Sequence, residues 1–367
     1  MKLKYNIFIN LIGFVVILIS CRETKINEEE EINFKKQYFK IEIDTTIFGT
    51  VFCNNKFVTL KSNGEFICFN STDFDTDTII TNKLNKKRCS SFYQMYDSLI
   101  VVENNRDYYV NSNFEFIPYN RYKYSYYKSD TTTVYDVYGQ KFIDPLYCDS
   151  NFVIAQFCFG EFGGTLYFFD LKNDKEYYCP ATCASVVNKI GDKYIVTNSL
   201  AHEDGSSEVL EITNPETLTE LDFDTVKYWG NFWYHSAWNG QSIERYDSIV
   251  NVMRGKNKQL LDTTGVLIHT SFKHKEEIYH IYRSEKRHSD KTTNNRNLYI
   301  GKIQNNKITA IDSICNVEAF TYNPQNRVYN DWTLYSYNFR EKNTGFIAIK
   351  DDTINIIEFK IKKKTTK

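Results

Sequence analysis

Residues 165–178 read TLYFFDLKNDKEYY, an aromatic and β-branched run followed by a polar segment and a second strand-forming run. Such a pattern predicts two β-strands joined by a turn. The same strand–turn–strand unit recurs along the chain at intervals of roughly 40 to 58 residues. The seven units begin at Glu65, Asp107, Thr165, Glu208, Ser248, Asn297 and Gly345.

Most of these units follow a further apolar strand candidate, such as SLIVV at residues 98–102 and KYIVTN at residues 193–198. Three or four strands per unit at this period are typical of β-propeller blades. The sequence therefore predicts an all-β fold, a β-propeller over residues 36–362, most simply with seven blades. Six blades with a degenerate insert is the nearer alternative, and a β-sandwich or two smaller β domains is the other. Because the chain has only 15 glycines, we expect Asn and Asp at many tight turns.

Composition narrows the possible partners. The 367 residues carry 45 basic and 46 acidic side chains, a formal net charge of −1, so no nucleic-acid partner is expected. Aromatic residues make up 16% of the chain, which favours strands. The chain contains no phosphate loop, dinucleotide fingerprint, nucleophile elbow or zinc-helix motif, so no cofactor or metal is predicted. A propeller of this kind is expected to be a monomer.

The N-terminus has the pattern of an export signal. Two lysines precede IFINLIGFVVILI, residues 7–19, which is too short to span a membrane but suits a secretory signal. It ends in Leu18-Ile19-Ser20-Cys21, which resembles the lipobox of bacterial lipoproteins. The resemblance implies a signal peptide over residues 1–20, cleavage before Cys21 and acylation of that cysteine. It places the protein in the cell envelope, anchored by lipid, in the outer membrane.

Residues 21–35 are polar and include Glu28 to Glu31, so an acidic flexible tether is predicted there. An acidic cluster behind the lipid cysteine also resembles the surface-export signal of Bacteroidota lipoproteins. Whether the domain faces the periplasm or the cell surface stays open. Residues 363–367 form a short basic tail.

Candidate ligand residues lie in the segments that join the second and third strands of the predicted blades, because these segments share one face of a propeller. They carry both signs of charge, as a polar binding pocket would require. Trp233 and Trp238 in YWGNFWYHSAW could add an aromatic surface for a glycan. The charged and imidazole candidates are Glu161, His202, Glu203, Asp204, Arg287 and Arg340.

The cysteines and histidines are further candidate sites. Cys179 and Cys183 in CPATC could close a small disulfide loop. Cys53 and Cys68 are expected on the first and third strands of one blade, too far apart to bridge. His269 and His280 are expected directly opposite each other across a hairpin, as a polar pair.

Acidic residues alternate at positions 73, 75 and 77. That spacing matches the start of a calcium loop, but the glycine and glutamate expected further on are missing. An acidic turn is the better interpretation.

These features favour a binding or interaction module for a protein or a glycan. The alternative is a glycan-active hydrolase or lyase that uses carboxylates such as Glu161, Glu203 or Asp204. A third hypothesis is a structural lipoprotein that holds other envelope proteins together. No motif in the sequence requires an enzyme.

Overall fold

The computed structural model describes residues 33–95, 98–104, 106–119, 145–158, 164–173, 175–201, 205–220, 257–284, 298–314, 325–329, 331–339 and 343–362. The chain separates into a unit of residues 1–33 and a unit of residues 34–367, and the second unit holds every strand described below.

The described residues form 25 strands. The strands before the gap at residues 120–144 are β1 Lys35–Ile43, β2 Ile47–Cys53, β3 Lys56–Lys61, β4 Phe66–Asn70, β5 Ser91–Met95, β6 Ser98–Glu103, β7 Arg106–Val110 and β8 Phe116–Tyr119. Those up to residue 220 are β9 Tyr147–Cys148, β10 Phe152–Cys158, β11 Gly164–Asp170, β12 Lys175–Pro180, β13 Ala184–Ile190, β14 Lys193–Leu200, β15 Ser206–Ile212 and β16 Thr219–Glu220. The remaining strands are β17 Lys258–Thr264, β18 Val266–His274, β19 Glu277–Ser284, β20 Leu298–Gln304, β21 Lys307–Ile314, β22 Gln325–Tyr329, β23 Trp332–Phe339, β24 Asn343–Lys350 and β25 Thr353–Ile361.

These strands form six sheets, which we number as blades in chain order. Each blade is an antiparallel run of consecutive strands, except that β1, β16 and β17 join their blades out of chain order. Blade 1 is β2-β3-β4, blade 2 is β5-β6-β7-β8, blade 3 is β9-β10-β11-β12 with β16, blade 4 is β13-β14-β15-β17, blade 5 is β18-β19-β20-β21, and blade 6 is β22-β23-β24-β25 with β1. The fold is therefore an all-β propeller.

Strand β1 joins the two ends of the propeller. It pairs in parallel with β25 along its whole length, from Lys35 opposite Thr353 to Ile43 opposite Ile361. Since β1 leads directly into blade 1 and β25 belongs to blade 6, this pairing connects the first blade to the last. It also covers the outer edge of β25, which would otherwise be open for pairing.

Six of the seven predicted repeat starts open the third strand of a blade, and the predicted count of seven blades is wrong. The start at Ser248 lies outside the described residues, and the described part of the chain has six blades. After β15 the chain makes a 3-10 turn, Pro215–Thr217, and β16 crosses to pair with β12 of blade 3. The chain then returns in β17, which completes blade 4 beside β15. The extra sequence is therefore an insert within blade 4, as the six-blade alternative proposed.

Tight hairpins in the described residues use Asn and Asp, as the low glycine content predicts. Asn54 and Asn55 between β2 and β3 have φ of 48° and 59°, and Asn305 and Asn306 between β20 and β21 have φ of 51° and 58°. Two successive positive φ values suit the right-handed twist of a two-residue hairpin, and Asn tolerates them best after Gly.

The acidic segment after β4 does not form a strand. Asp77 caps helix α1, Thr78–Leu84, by accepting the Ile80 N–H at 3.0 Å, and its carboxylate pairs with Lys56 at 2.9 Å. The helix lies where blade 1 would have its fourth strand and buries Leu84. The predicted acidic turn is confirmed at Asp73, whose carboxylate accepts the Asp75 N–H at 2.9 Å, and Asp77 then caps the helix.

Side chains from the neighbouring blades donate hydrogen bonds to backbone carbonyls on the inner edge of blade 5. Strand β18 is the first strand of this blade, so one of its edges has no strand partner. Asn188 donates to the Ser271 carbonyl at 3.0 Å, and Asn326 donates to the His269 carbonyl at 2.9 Å. The Ser199 hydroxyl donates to the carbonyl of Ile268 at 2.6 Å. Blades 4 and 6 are thus joined to blade 5 by buried hydrogen bonds, which makes the scaffold rigid.

Candidate functional site

The propeller has two faces that differ in how the strands connect. We call the face with the connections between strands one and two and between strands three and four the turn face. The opposite face, which carries the connections between strands two and three, is called the loop face. On the turn face lie residues 149–151, 171–173 and 191–192, and the loop face holds the end of β10, the start of β11, the end of β14 and the start of β15.

The ligand residues predicted from sequence fall outside the described residues. This applies to the loop-face candidates, to the two tryptophans and to the lipidation site. They are Glu161, His202, Glu203, Asp204, Arg287, Arg340, Trp233, Trp238 and Cys21.

A cleft of about 210 Å³ lies on the turn face between blades 3 and 4. Four short connections build it: β9–β10, β11–β12, β13–β14 and the segment after β15. Its lining is mostly polar. The residues that line it are Asn151, Phe152, Asp170, Lys172, Lys189, Asp192, Tyr194, Thr213, Asn214, Pro215 and Glu216.

Asp149 links the two blades at the base of this cleft. Its Oδ1 accepts the N–H groups of Asn151 at 2.8 Å and Phe152 at 2.9 Å, which shapes the β9–β10 turn. Its Oδ2 accepts the Tyr194 hydroxyl at 2.8 Å and forms an ion pair with Lys189. The Lys189 ammonium also lies 4.8 Å from the centre of the Tyr194 ring. Because Lys189 and Tyr194 belong to the β13–β14 hairpin, one carboxylate holds blade 3 against blade 4.

Asp149 and Asp170 are held in their ionised form. Burial alone would raise the pKa of Asp149, but hydrogen bonds from Lys189, the turn N–H groups and Tyr194 outweigh burial and lower it. Burial also opposes ionisation of Asp170, and hydrogen bonds from Asn173 and from the N–H groups of Lys172 and Asn173 lower its pKa as well. Both groups therefore act as fixed acceptors within the protein.

Aromatic rings form the floor beneath the cleft without opening to solvent. Phe152 and Tyr194 are 7% and 2% exposed, and their ring centroids lie 6.0 Å apart in an edge-to-face arrangement. Phe168 packs against both rings, with its centroid 5.6 Å from that of Tyr194 and 6.0 Å from that of Phe152. These rings support the polar groups above them but present no flat surface on which a sugar could stack.

His269 and His280 do not face each other, so the predicted pairing is wrong. The two-residue turn comprises Lys275 and Glu276, one position later than assumed, and a bulge at His269 shifts the register again. As a result His280 lies opposite Ser271, with a 2.7 Å hydrogen bond between its Nδ1 and the Ser271 hydroxyl. His269 instead contacts Tyr335, whose hydroxyl is 3.1 Å from the imidazole Nδ1.

The Ser271–His280 pair has the spacing of a nucleophile and its base, but its burial excludes that role. Both side chains are almost fully buried, so a substrate cannot reach the hydroxyl. Thr197 also shares a 2.7 Å hydrogen bond with Ser271, which places the pair in the contact between blades 4 and 5. Burial lowers the pKa of His280 to about 3, so this imidazole is neutral near neutral pH.

The predicted Cys179–Cys183 disulfide is replaced by a different one. Cys183 pairs with Cys158, at a Cα–Cα distance of 4.5 Å. Cys179 is on β12, where strand alternation turns its side chain into the core between blades 3 and 4. Cys183 follows the end of β12 with a φ of 55°, and this places it beside the end of β10. Cys53 and Cys68 are on β2 and β4, the first and third strands of blade 1, and remain free thiols as expected.

In the described part of the chain, no group of three or more His, Cys, Asp or Glu side chains is placed to hold a metal ion. Among those same residues no helix is both long and apolar enough to cross a membrane.

The similarities of this chain to known proteins are to solved propeller structures. No protein-family model and no curated protein matches the chain. The N-terminal domain of Nup159 is 8% identical with a TM-score of 0.36, and the match covers 90% of each chain. BamB from Moraxella catarrhalis is 9% identical with a TM-score of 0.35, over 83% of this chain and 82% of that one. The β-propeller domain of the Trilobed protease from Pyrococcus furiosus is 10% identical with a TM-score of 0.36, over 84% and 83%. The propeller assignment itself rests on the six blades and their closure by β1.

The cleft was not predicted from sequence, although its components leave a local signal. Asp149, Asp170 and Asn214 each accept N–H groups two or three residues ahead, the pattern of an Asx turn. Each turn can be expected from sequence alone. Only the fold shows that turns from two blades meet at one cleft.

Proposed function

We propose that this protein is a lipid-anchored β-propeller of the cell envelope that binds a partner through polar sites on its faces, without chemical turnover. The lipobox-like sequence ending in Cys21 supports the anchor. The blades, tied together by buried hydrogen bonds and by β1, supply a rigid scaffold for binding.

The proposal of binding without turnover rests on the ionised state of the carboxyl groups. A glycosidase needs one carboxylic acid whose pKa is raised so that it can donate a proton. Hydrogen bonds lower the pKa of both Asp149 and Asp170 at the cleft. The pKa is also lowered at Asp44, Glu65, Asp77 and Glu277. Such groups serve as charged acceptors rather than as acids.

The cleft favours a polypeptide ligand over a glycan. Lys172, Asp192 and Glu216 are exposed around it, and none of them forms an ion pair with another described residue. Charged groups that are open in this way suit the side chains of a protein partner, whose own charges they can match. The buried aromatic floor offers no stacking surface for a sugar.

Photocrosslinking from the cleft tests this function. A benzophenone amino acid at Thr213 in the full chain, expressed in bacterial cells, should give a discrete adduct with an envelope protein. Reversing the two open acids, Asp192→Lys with Glu216→Lys, should reduce that adduct about tenfold, as expected when complementary charges become repulsive.

Glu276 provides the matched control, because it is an exposed acid on the same face but in blade 5. Glu276→Lys should leave the adduct unchanged. An adduct that survives the double reversal, or release of sugars from envelope glycans by the purified chain, would overturn the proposal.

A further inference from the structure

The chain enters the propeller on the turn face. Strand β1 begins opposite Thr353, and the Lys35 N–H donates to the Asp352 carbonyl at 2.9 Å. Asp351 and Asp352 form the turn between β24 and β25, a connection between strands three and four. The segment that precedes Lys35 therefore leaves the domain on the same face as the cleft.

Packing fixes this entry point. Phe34 is 2% exposed, and its ring lies 5.5 Å from Phe272, 5.4 Å from His274 and 5.3 Å from Tyr279. These three residues are at the hairpin end of β18 and β19, which is also on the turn face. The imidazole Nδ1 of His274 is 2.9 Å from the Asp351 carbonyl, which joins that hairpin to the β24–β25 turn.

The C-terminal end of the domain is on the opposite face. Strand β25 runs from Thr353 on the turn face to Ile361, and the Lys362 N–H donates to the Ile43 carbonyl at 2.8 Å. Ile43 is the last residue of β1, which runs parallel to β25. The loop face therefore holds the C-terminal end, and the turn face alone holds the attachment of the N-terminal segment.

The length of that segment limits how the domain can sit on a membrane. The 14 residues from Cys21 to Lys35 reach at most about 46–50 Å when fully extended. An eight-residue strand such as β14 is about 26 Å long, which is the distance between the two faces. To turn the loop face toward the bilayer, the segment would have to run along the side of the propeller and use more than half of its reach.

We propose that the turn face is the membrane-side face of the protein and that the loop face points away from the bilayer. This inference rests on the proposed acylation of Cys21. It assigns the cleft between blades 3 and 4 to a protein held at the membrane.

Energy transfer to labelled lipid tests the orientation. Asn306 on the turn face and Asn104 on the loop face are a matched pair, since both are exposed hairpin residues with φ of 58° and 50°. The full acylated chain would carry a donor dye at one position and be added to preformed phosphatidylcholine vesicles that contain acceptor lipid. Because the faces are about 26 Å apart, transfer from Asn306 should exceed transfer from Asn104 by at least about twofold.

Vesicle binding separates the two ways in which this test can fail. Cys21→Ala should abolish binding. If the unchanged chain also fails to bind, the lipid anchor of the proposed function is wrong. If it binds and transfer from Asn104 equals or exceeds transfer from Asn306, the anchor stands and the orientation is overturned.

Discussion

The link between blades 3 and 4 can be tested by removing Asp149 or its partner Lys189. Asp149 accepts four hydrogen bonds, two from its own turn and two from the β13–β14 hairpin. Asp149→Ala removes all four acceptors. Lys189→Met keeps the aliphatic stem that packs near Tyr194 and removes only the charge.

The expected magnitudes follow from burial. The side chains of Lys189 and Asp149 are 23% and 15% exposed, so the pair is weaker than a fully buried one, whose loss costs about 3–5 kcal/mol. We expect Asp149→Ala to lower the free energy of unfolding by about 3 kcal/mol, because it leaves the Tyr194 hydroxyl and the Lys189 ammonium without their acceptor. Lys189→Met should cost about 1 kcal/mol, since Asp149 keeps three donors.

Urea unfolding of the purified chain at pH 7, followed by circular dichroism, provides the measurement. The double variant should show a coupling energy of about 1 kcal/mol, because the two side chains contact each other. Lys175 pairs with Glu220 at 2.9 Å in blade 3, but both side chains are about half exposed. Lys175→Met is therefore the control, and it should leave the unfolding curve unchanged.

Two results would contradict the proposed link between blades 3 and 4. One is an Asp149→Ala variant as stable as the wild type. The other is strict additivity of the two substitutions, which would mean that Asp149 and Lys189 do not act on each other.

Three further predictions concern other parts of the fold. Burial lowers the pKa of His280 to about 3, so its contribution to stability is present above pH 6.5 and is lost as the pH falls, by about 2 kcal/mol between pH 7.5 and 5. His280→Gln should therefore lose about 2 kcal/mol less than the wild type over that range, while His269, whose pKa burial also lowers to about 3, titrates in both proteins. In urea unfolding across that pH range, Ser271→Ala removes the same hydrogen bond but no titrating group, and should keep the wild-type pH dependence. Replacing Cys158 and Cys183 with serine should lower the free energy of unfolding by about 3.5 kcal/mol, from the 25-residue separation that they close; peptide mapping without reductant that joins Cys183 to another cysteine would contradict the assignment. Gly345→Ala should cost about 3 kcal/mol or more, because a Cβ would collide with a carbonyl oxygen of β25 and a tyrosine hydroxyl of β23; an unchanged melting temperature would argue against that packing.

The repeat could be predicted because each blade encodes its own third strand. Runs such as TLYFFD at residues 165–170 and FIAIK at residues 346–350 are apolar, β-branched or aromatic, and followed by a turn. These properties belong to each segment alone, and the same segments are strands in the fold. The Asn-rich hairpins were predictable for the same reason, because positive φ is a preference of the residue itself.

The number of blades depends on partners that are distant in sequence. Strand β16 could have stayed beside β15, but it pairs with β12, and β17 takes the place beside β15. Nothing local distinguishes a strand that starts a new blade from one that returns to complete an old blade. An insert was therefore counted as a repeat.

The two wrong side-chain pairings have similar causes. A bulge at His269 adds one residue to β18, and one extra residue changes which side chains face each other. For the cysteines, proximity in sequence favoured Cys179 and Cys183. Strand alternation instead turns Cys179 into the core and leaves Cys183 beside the end of β10.

The candidate site was missed because it is assembled from four short turns in two blades. Asp149 and Lys189 are 40 residues apart, and neither is part of a motif. Their roles follow from the packing of blade 3 against blade 4, where a partly buried lysine needs an acceptor and a partly buried tyrosine hydroxyl needs another.

Both the proposed function and the proposed orientation depend on attachment to the membrane through Cys21. Mass spectrometry of the full-length chain, recovered from the membranes of a bacterial host that acylates lipoproteins, tests it most directly. We expect a mature chain that begins at Cys21 with diacylglycerol on its sulfur, and a Cys21→Ala variant that keeps the first twenty residues and carries no lipid. An unmodified Cys21 in a chain recovered from membranes, or cleavage at another residue, would contradict it.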